Sequence, residues 1–488
     1  MVLHSGPIIK VLSAVTVVVG TAMLLPMLVS FYYGEYDATL AFLICSAPMI
    51  LLGVLVGKRT SVPRQSMIRT RDGFFIVGTA WLIMSLLGAL PFVLSGSIPS
   101  IIDAYFETAS GFTTTGASIL TDVETLPKGM LFWRSFTHWL GGMGILVLTV
   151  ALLPMLGIGG QKIMRAETTG PTMDKITFTI NDTARILYKI YAGMTLLQIL
   201  LLLLGGLDLY DASVHTFGTV GTGGFSNYAA SVGHYDSFYV DMVISFFMLA
   251  AGVNFSLYHS LFSGKIKQFF QDFELRKYLL IVGGSTLFIS IMLLLKGFYT
   301  DPVESFRYAL FQVASIITTT GYATTDFDLW PASCKMILLL LMIIGACASS
   351  TGGGIKVIRA ALVFKLIKRG AYRRLHPNAV VPVRAGERNM TPEVMSGVAG
   401  FVILYILTSV VSILLISLEN VDLMTAVSSV IACISNIGPG FEMVGPTLNY
   451  GFFSGASKLL LSMLMIAGRL ELFTIILLFT PAFWNRNK

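Results

Sequence analysis

Four short segments rich in threonine, serine and glycine interrupt an otherwise apolar sequence, and each ends at one glycine. They are Thr113–Gly116, Val220–Gly223, Thr318–Gly321 and Ser435–Gly438, and their final glycines are separated by 107, 98 and 117 residues. A near-regular spacing of this size predicts one structural unit repeated four times. Glycine permits backbone dihedrals that turn successive carbonyl oxygens to one side, and a ring of such oxygens replaces the water shell of a cation. The four segments therefore predict an ion-conducting pore.

The predicted ion ligands are backbone carbonyl oxygens, with the four glycines just outward of them. The carbonyl-bearing residues are Thr113, Thr114, Val220, Gly221, Thr318, Thr319, Ser435 and Asn436, and the glycines are Gly116, Gly223, Gly321 and Gly438. The four segments contain no carboxylate side chain, which argues against a divalent site and favours a monovalent cation. An alternative interpretation is that these glycines and threonines mark turns or close helix packing in a membrane protein. The fourth segment carries Asn436 and Ile437 where the first and third carry threonine, so complete fourfold equivalence is not expected.

The composition is that of a membrane protein. Hydrophobic residues make up 55% of the chain and charged residues only 12%, with a mean hydropathy of +0.78. A soluble globular protein is far less apolar. The four cysteines stand singly in or beside apolar runs, so neither disulfides nor a cysteine metal site is expected.

Hydrophobic runs of spanning length predict about ten membrane helices, at roughly 20 apolar residues each. Two come first, near 8–31 and 38–57. The other eight form four pairs: 73–95 with 131–156, 184–206 with 237–262, 276–297 with 333–366, and 396–418 with 456–484. Between the members of each pair, a shorter segment begins near an aspartate that can cap a helix, or near a neighbouring serine or threonine. The aspartates are Asp103, Asp208 or Asp211, Asp301, and Asp422.

These shorter segments predict pore helices that enter the membrane partway and point their negative carbonyl ends at its centre. The predicted fold class is an all-α integral membrane protein with four tandem helix, pore helix, filter, helix repeats around one pore, preceded by two extra transmembrane helices. The predicted boundaries are 1–70 for the two-helix extension, then 71–160, 161–265, 266–385 and 386–488 for the four repeats.

Charge distribution predicts the orientation in the membrane. Basic residues collect in the loops between repeats, most heavily from Lys356 to Arg388, whereas acidic residues accompany the four glycine segments. Because basic loops stay in the cytoplasm, the filter segments are expected to face outward and both termini inward. The net charge of +7 is then mostly a topology signal, and nothing in it indicates nucleic acid binding.

Two features predict a gate on the inner side of the filter. The second helix of the third repeat is interrupted at residues 345–354 by small residues that cannot hold a stiff helix, and close helix packing is the alternative. The gate residues assigned in and beside this run are Gly345, Gly352, Gly353, Gly354 and Lys356. Residues 350–356 resemble a phosphate-binding loop but lack its Gly-Lys-Ser/Thr ending, so this chain is not expected to bind a nucleotide.

The second feature is Arg469, midway along the last apolar helix. A mid-membrane arginine costs at least ~2.5–3.5 kcal/mol on insertion scales and usually faces a cavity or a partner. We assign Arg469 to the gate, and a structural ion pair with Glu442 or Glu471 is the alternative.

The chain resembles the TrkH branch of the Trk, Ktr and HKT superfamily of potassium uptake proteins over nearly its whole length. The resemblance rests on the four repeats, the two extra helices and the strings TTTGAS (113–118), TVGTGGFS (219–226), TTTGYA (318–323) and SNIGPGF (435–441). It implies one potassium filter built from all four segments, an intramembrane loop at 345–354, and K+ as the transported ion. It also implies a bacterial inner-membrane homodimer that binds a cytosolic, nucleotide-binding regulatory subunit of the TrkA type.

The predicted function is therefore potassium-selective conduction for uptake. The alternative is a secondary transporter that couples potassium to protons or sodium, which usually requires an intramembrane acid; the apolar runs have almost none apart from Glu471. Metal-hydrolase and nucleophile motifs are absent from the sequence, so an enzyme is not expected. His138 is interpreted as a hydrogen-bonded core residue.

Overall fold

The computed structural model describes residues 5–60, 70–144, 180–386 and 388–484. The N-terminal extension forms α1 (Ser5–Ala22), α2 (Leu24–Tyr32) and α3 (Tyr36–Arg59). The first repeat contains α4 (Thr70–Leu94), α5 (Ile101–Phe112) and α6 (Lys128–Gly142). The second contains α7 (Ile180–Leu204), α8 (Leu209–Gly221), α9 (Phe238–Ala251) and α10 (Phe255–Phe262), and α11 (Ile266–Gln271) follows it.

The third repeat contains α12 (Phe273–Leu295), α13 (Pro302–Ile317), α14 (Ala332–Ile344) and α15 (Val357–Leu375). The fourth contains α16 (Pro392–Ile416), α17 (Leu423–Ser435), α18 (Gly455–Arg469), α19 (Phe473–Leu478) and α20 (Pro481–Trp484). Short 3₁₀ helices lie at Ser231–Tyr235, Phe327–Leu329, Ser417–Glu419 and Glu442–Val444. A two-stranded antiparallel ribbon, β1 (Arg384–Ala385) and β2 (Arg388–Asn389), connects the third and fourth repeats.

Six helices in the described part of the chain are long and apolar enough to cross a membrane. They are the two spans of the extension and the first helix of each repeat, and the number is seven if the bent pair α9 and α10 is one span. Their outward faces carry large exposed apolar side chains, such as Leu196, Leu280 and Leu407. Such surfaces suit contact with lipid.

The second helices of the second and fourth repeats are broken where the sequence predicts continuous spans, and that of the third is interrupted as predicted. α9 and α10 meet at an angle of 97°, residues 345–356 separate α14 from α15, and α18 ends at Arg469 before α19 begins. α6 ends at Gly142, and the remainder of the predicted helix 131–156 lies outside the described residues. Glycines near these breaks allow a close approach to a pore helix. A Cβ on Gly468, for example, would overlap the carbonyl oxygen of Ile434 in α17.

The pore helices α5, α8, α13 and α17 begin at side-chain caps. Asp208, Asp301 and Asp422 accept hydrogen bonds from the backbone N–H groups of the first turns of α8, α13 and α17. In α5 the cap is Ser100, and Asp103 lies in the first turn. Caps of this kind satisfy donors at the helix start, and a negative charge there is favourable. The pore helices thus begin as the sequence predicts, with a serine replacing aspartate as cap in the first repeat.

Candidate functional site

Each pore helix leads into a segment with the same backbone conformation. The residues in the left-handed region are Thr114 (φ 56°), Thr222 (56°), Thr319 (60°) and Asn436 (59°). Two residues further on, glycines repeat a positive φ at Gly116 (81°), Gly224 (81°), Gly321 (86°) and Gly438 (91°). A left-handed non-glycine residue costs on the order of 1–3 kcal/mol and persists only where its surroundings impose it. Four such residues at matching places show that the segments follow one backbone path.

The four segments pack side by side in a closed ring. A Cβ on Gly116 would overlap the carbonyl oxygen of Gly223, one on Gly224 that of Thr320, and one on Gly321 that of Ile437. The fourth segment contacts the first in the same way, since a Cβ on Gly438 would lie 2.7 Å from the carbonyl oxygen of Thr115. This contact closes the ring. Each segment therefore touches the next in chain order, and the fourth touches the first. We call this arrangement, residues 113–116, 221–224, 318–321 and 435–438, the filter ring.

The second segment lies one residue further along than the sequence spacing indicated. The equivalent of Gly116 is Gly224, not Gly223, and Gly221 and Thr222 replace Val220 and Gly221 as the equivalents of Thr113 and Thr114. The cause is that α8 continues through Gly221. The N–H of Gly223 donates to the Gly218 carbonyl at 2.7 Å, just as the N–H of Thr115 donates to Ser110 at 2.8 Å.

The filter ring contains buried carbonyl oxygens without hydrogen-bond donors. Within the described residues, no donor reaches the carbonyls of Thr113, Thr114, Thr222, Thr318, Thr319, Ser435 or Asn436, and all seven residues are fully buried. A buried carbonyl normally finds a partner, because leaving it unpaired costs about 1–3 kcal/mol. A set of neutral oxygens around one axis offers such a partner to a desolvated monovalent cation.

The threonine side chains of the first and third segments turn toward their own pore helices. The Thr113 hydroxyl donates to the Ala109 carbonyl at 2.6 Å and lies 2.8 Å from the Thr115 hydroxyl. Thr318 makes the same contacts with Ala314 and Thr320, at 2.6 and 2.8 Å. The side chains thus brace the segments from behind and leave the backbone carbonyls free.

The fourth segment is braced differently. The Asn436 amide donates to the Thr115 hydroxyl at 3.0 Å and to the Met465 carbonyl at 2.8 Å. Asn436 therefore ties the fourth segment to the first segment and to α18. This contact explains how an asparagine serves where the other three segments have threonine.

A cavity of about 120 Å³ opens on the outer side of the filter ring, and Gly116, Gly224, Gly321 and Gly438 all line it. The four segments therefore face one shared space. The pore helices end at the other side of the segments, and we call the side with the cavity the outer side of the ring, following the orientation predicted from the sequence.

On the inner side, residues 345–356 form a loop directly beneath the filter ring. The loop closes at its base, where the N–H groups of Ile355 and Lys356 donate to the carbonyls of Ile343 and Ile344 at 3.1 and 2.8 Å. At its tip, the Gly353 N–H donates to the Thr319 hydroxyl at 2.7 Å. The predicted interruption of this helix is therefore present, and it contacts the filter itself.

The loop is anchored to the second and third repeats. Its Ser349 carbonyl accepts from the Phe255 N–H at 3.0 Å, beside the break between α9 and α10. The Glu274 carboxylate at the start of α12 accepts from the N–H groups of Ala348 and Ile358 at 2.8 and 3.0 Å. The buried Lys356 ammonium donates to the Gly352 carbonyl within the loop. These contacts hold the loop across the inner side of the ring.

Arg469 joins this loop to the first repeat. Its guanidinium donates to the Thr351 carbonyl at 2.6 Å and to the Gly141 and Gly142 carbonyls at 2.6 and 2.9 Å. Glu471, a candidate partner from the sequence, forms an ion pair with Arg359 at 2.5 Å. The neighbouring Gly468 packs against the end of pore helix α17. A fixed positive charge therefore lies on the inner side of the filter ring, among backbone carbonyls.

Comparison with known proteins agrees with this geometry. The family model described as "TrkH: Cation transport protein" matches residues 41–486. The chain belongs to the TrkH family. It is similar to the "Trk system potassium uptake protein TrkH" of Escherichia coli (strain K12), with 37% identity covering 99% of this chain and 100% of that protein. It is also similar to the "Trk system potassium uptake protein TrkG" of the same strain, with 36% identity over 95% of each chain.

A solved structure extends the likeness to the fold. The "Crystal Structure of the Potassium Transporter TrkH from Vibrio parahaemolyticus" superposes with a TM-score of 0.88 at 35% identity, covering 99% of this chain and 100% of that one. The predicted family and fold class are thereby confirmed. This TrkH-family chain is a multi-pass membrane protein, and its relatives are named as transport proteins, not as enzymes.

In each repeat of this TrkH-family chain, a side chain of the pore helix forms a hydrogen bond with a residue that follows the filter segment. The sequence analysis did not predict these contacts. In the first repeat, Glu107 accepts from the Ser118 hydroxyl and the Ile119 N–H, both at 3.0 Å. In the second, His215 lies 3.1 Å from the Ser226 hydroxyl, with the same separation of 11 residues. In the third, Gln312 donates to Thr324, and in the fourth the Phe441 N–H donates to Ser428. The available signal was a polar residue midway along each pore helix.

His138 is a hydrogen-bonded core residue, as interpreted from the sequence. Its Nδ1 lies 2.8 Å from the Gly111 carbonyl, and its Nε2 accepts from the Phe225 N–H at 3.2 Å. A Cβ on Gly223 would overlap the His138 ring. His138 therefore supports the second filter segment from behind, and this contact requires a glycine at 223.

Proposed function

We propose that this chain carries potassium into the cell through the filter ring, and that the filter carbonyls bind the ion. The observation that supports this most strongly is the closed ring of buried carbonyl oxygens without donors. A monovalent cation that sheds its water there gains oxygens from all four segments at once. The names of the relatives, which are potassium uptake proteins, agree with potassium as the ion.

The potassium ligands in this proposal are the carbonyls of Thr113, Thr114, Gly221, Thr222, Thr318, Thr319, Ser435 and Asn436, with Gly116, Gly224, Gly321 and Gly438 outward of them. This assignment keeps the sequence-based one in three repeats and moves it by one residue in the second. The reason is the matching left-handed conformation of Thr114 and Thr222.

The proposed gate is the loop at 345–356 together with Arg469. The Gly353 backbone packs against the Ser435 carbonyl and donates to Thr319, so the loop lies where an ion would leave the filter. Arg469 adds a positive charge at the same level and holds the loop through Thr351. Opening would require the loop to move away from the ring and Arg469 to exchange its carbonyl partners.

We further propose a bacterial inner-membrane homodimer, with both termini in the cytoplasm and a TrkA-type cytosolic subunit that binds the regulatory nucleotide. The words "Trk system" in the relatives' names support a protein that works with other components. The basic cytoplasmic loops predicted from the sequence support the orientation. In this proposal the chain itself binds no nucleotide.

The test is uptake of radiolabelled rubidium into vesicles that contain only the purified chain, with potassium, sodium and caesium as competitors. Potassium should compete far better than sodium. Equal competition by sodium and potassium would overturn the proposed selectivity.

The coupled transporter is the second candidate, since Glu274 and Glu471 are acids beside the gate. Discrete current steps in a planar bilayer that reverse near the potassium potential favour a channel, and strictly proton- or sodium-coupled flux favours a transporter.

A further inference from the structure

A buried ion pair lies on the outer side of the filter ring, between Glu107 of α5 and Arg134 of α6. The Arg134 Nε lies 2.5 Å from the Glu107 carboxylate, and the side chains are 4% and 0% exposed. Arg134 also donates to the Ser226 carbonyl at 2.9 Å and stacks on the Phe225 ring at 3.6 Å. The pair therefore connects the first repeat to the second immediately beyond the filter.

Arg134 lines the outer cavity together with Gly116 and Gly224 of the filter ring. A guanidinium is charged at every relevant pH, so a positive group stands beside the space through which a cation must arrive. The Glu107 carboxylate cancels that charge at hydrogen-bond distance. Without it, the potential in the cavity would oppose cations.

The other repeats show that the contact between the pore helix and the residue after the filter segment needs no ion pair. In the third repeat this contact is made by the Gln312 amide and in the fourth by the Ser428 hydroxyl, and neither group is charged. A neutral residue thus suffices to hold the outer segment. Among the described residues that line the cavity, Arg134 alone is charged, so the first repeat has a charge there that its carboxylate can offset.

We propose that Glu107 is a positioning residue for cation uptake. It holds Arg134 against the second segment and cancels its charge at the outer mouth of the filter. Cations then reach the neutral carbonyls without meeting an uncompensated positive charge. This inference rests on the proposed function of the filter ring, and it predicts that charge, more than shape, decides the effect of substitutions at this pair.

The decisive variants are Glu107→Gln, Arg134→Met and the double variant, each purified as the full chain in vesicles. Glu107→Gln keeps the shape and leaves Arg134 uncompensated. Rubidium uptake per folded molecule should fall about tenfold, the scale expected from one uncompensated unit charge near a narrow path of intermediate dielectric. The double variant removes both charges and should recover uptake to within about twofold of the parent chain, because no field then opposes the ion.

Arg134→Met supplies an independent test that does not depend on how Glu107→Gln folds. It removes the positive charge and retains Glu107, so uptake should stay at or above the parent rate. A purely structural clamp predicts the opposite, namely that all three variants lose uptake alike. Either Arg134→Met losing as much uptake as Glu107→Gln, or the double variant staying as low, overturns the inference.

The ion pair between Arg307 and Asp241 is the matched control. It joins α13 to α9 at 2.7 Å, Asp241 is buried, and neither residue lines the outer cavity. Asp241→Asn should therefore leave uptake per folded molecule within about twofold of the parent, since its charge lies away from the path. The parent chain in the same vesicles separates the two proposals. If the parent chain shows no rubidium uptake that potassium competes with, the proposed function is refuted. If the parent chain is selective and all variants take up rubidium at the parent rate, only the inference about Glu107 is refuted.

Discussion

The filter ring is built from equivalent segments of all four repeats, whereas the layer beneath it is built from different parts of three repeats. In the ring, four repeats contribute the same backbone conformation, and each segment abuts the next through a glycine. In the inner layer, the third repeat contributes a long loop, the fourth contributes Arg469, and the first contributes the carbonyls that Arg469 binds. The four repeats thus contribute equivalent backbone to the ring, and they contribute different residues to the inner layer.

Ion preference and ion flux are therefore expected to be separable in this fold. A backbone ring that is packed on all sides cannot change at one segment without disturbing its neighbours. The inner layer is held by hydrogen bonds from one loop and from Arg469, and opening the proposed gate would break some of them. Substitutions in the ring should therefore change preference, and substitutions in the inner layer should change flux.

The largest effect is expected at the ring glycines. In Gly224→Ala the new Cβ overlaps the Thr320 carbonyl at a positive φ, so the preference for rubidium over sodium should fall tenfold or more, a loss of about 1.4 kcal/mol or greater. Gly116→Ala, Gly321→Ala and Gly438→Ala should behave alike. Competition of sodium against rubidium uptake measures the effect.

Gly283→Ala in α12 is the matched control, since nothing lies within 4 Å of its Cβ position. It should leave preference unchanged. If any ring glycine tolerates alanine as Gly283 does, the four segments do not act as one ring.

The next largest effect is expected at Arg469. Arg469→Ala removes the positive charge beneath the filter and should raise rubidium flux about tenfold, because removing a barrier of about 1.4 kcal/mol has that effect. Ion preference should remain nearly that of the parent. Arg469→Lys retains the charge and should retain low flux. A lower or equal rate in a folded Arg469→Ala protein would remove Arg469 from the gate.

A smaller, several-fold rise in flux is expected when the loop is shortened by deleting Gly352 to Gly354. The deletion removes the Gly353 N–H that binds Thr319 and the backbone that packs beneath Ser435. Uptake by the isolated chain should rise and depend less on any regulatory partner. Unchanged or abolished uptake, with the protein still folded, would contradict a gating role for the loop.

The smallest effect is expected from Asn436→Thr, which restores the residue found in the other three segments. The ties to Thr115 and Met465 are lost, at a cost of about 1 kcal/mol in stability. Ion preference should change by less than about threefold, well under the 1.4 kcal/mol of a tenfold change. Thermal unfolding and sodium competition measure the two. A tenfold loss of preference would show that the Asn436 side chain is itself an ion ligand.

Much of the architecture was predictable because the repeat recurs in the sequence. The four pore helices, the capping aspartates of three of them and the break after Ile344 all follow from local residue types. The register of the second segment did not follow, because Gly221, Gly223 and Gly224 leave two alignments open. Contact between Gly224 and Thr320 decides between them, and that contact joins residues far apart in the chain.

The bend between α9 and α10 and the Glu107–Arg134 pair could not be predicted from the sequence. The apolar run 237–262 has the length of a span, yet its two helices meet at 97°, where Gly252 and Phe255 make backbone hydrogen bonds to Cys347 and Ser349 of the third repeat. Glu107 and Arg134 lie on different helices, so neither spacing nor composition pairs them. The sequence shows the features that the four repeats share, whereas the contacts between repeats are seen only in the structure.

In the proposed function, the four segments form one cation path, with Gly221 and Thr222 equivalent to Thr113 and Thr114. Anomalous diffraction from crystals of the full chain soaked in rubidium tests it most directly. We expect rubidium on the axis of the ring, surrounded by carbonyl oxygens of all four segments, with those of Gly221 and Thr222 from the second. Rubidium bound away from the ring, or held by the Val220 carbonyl in place of that of Thr222, would contradict it.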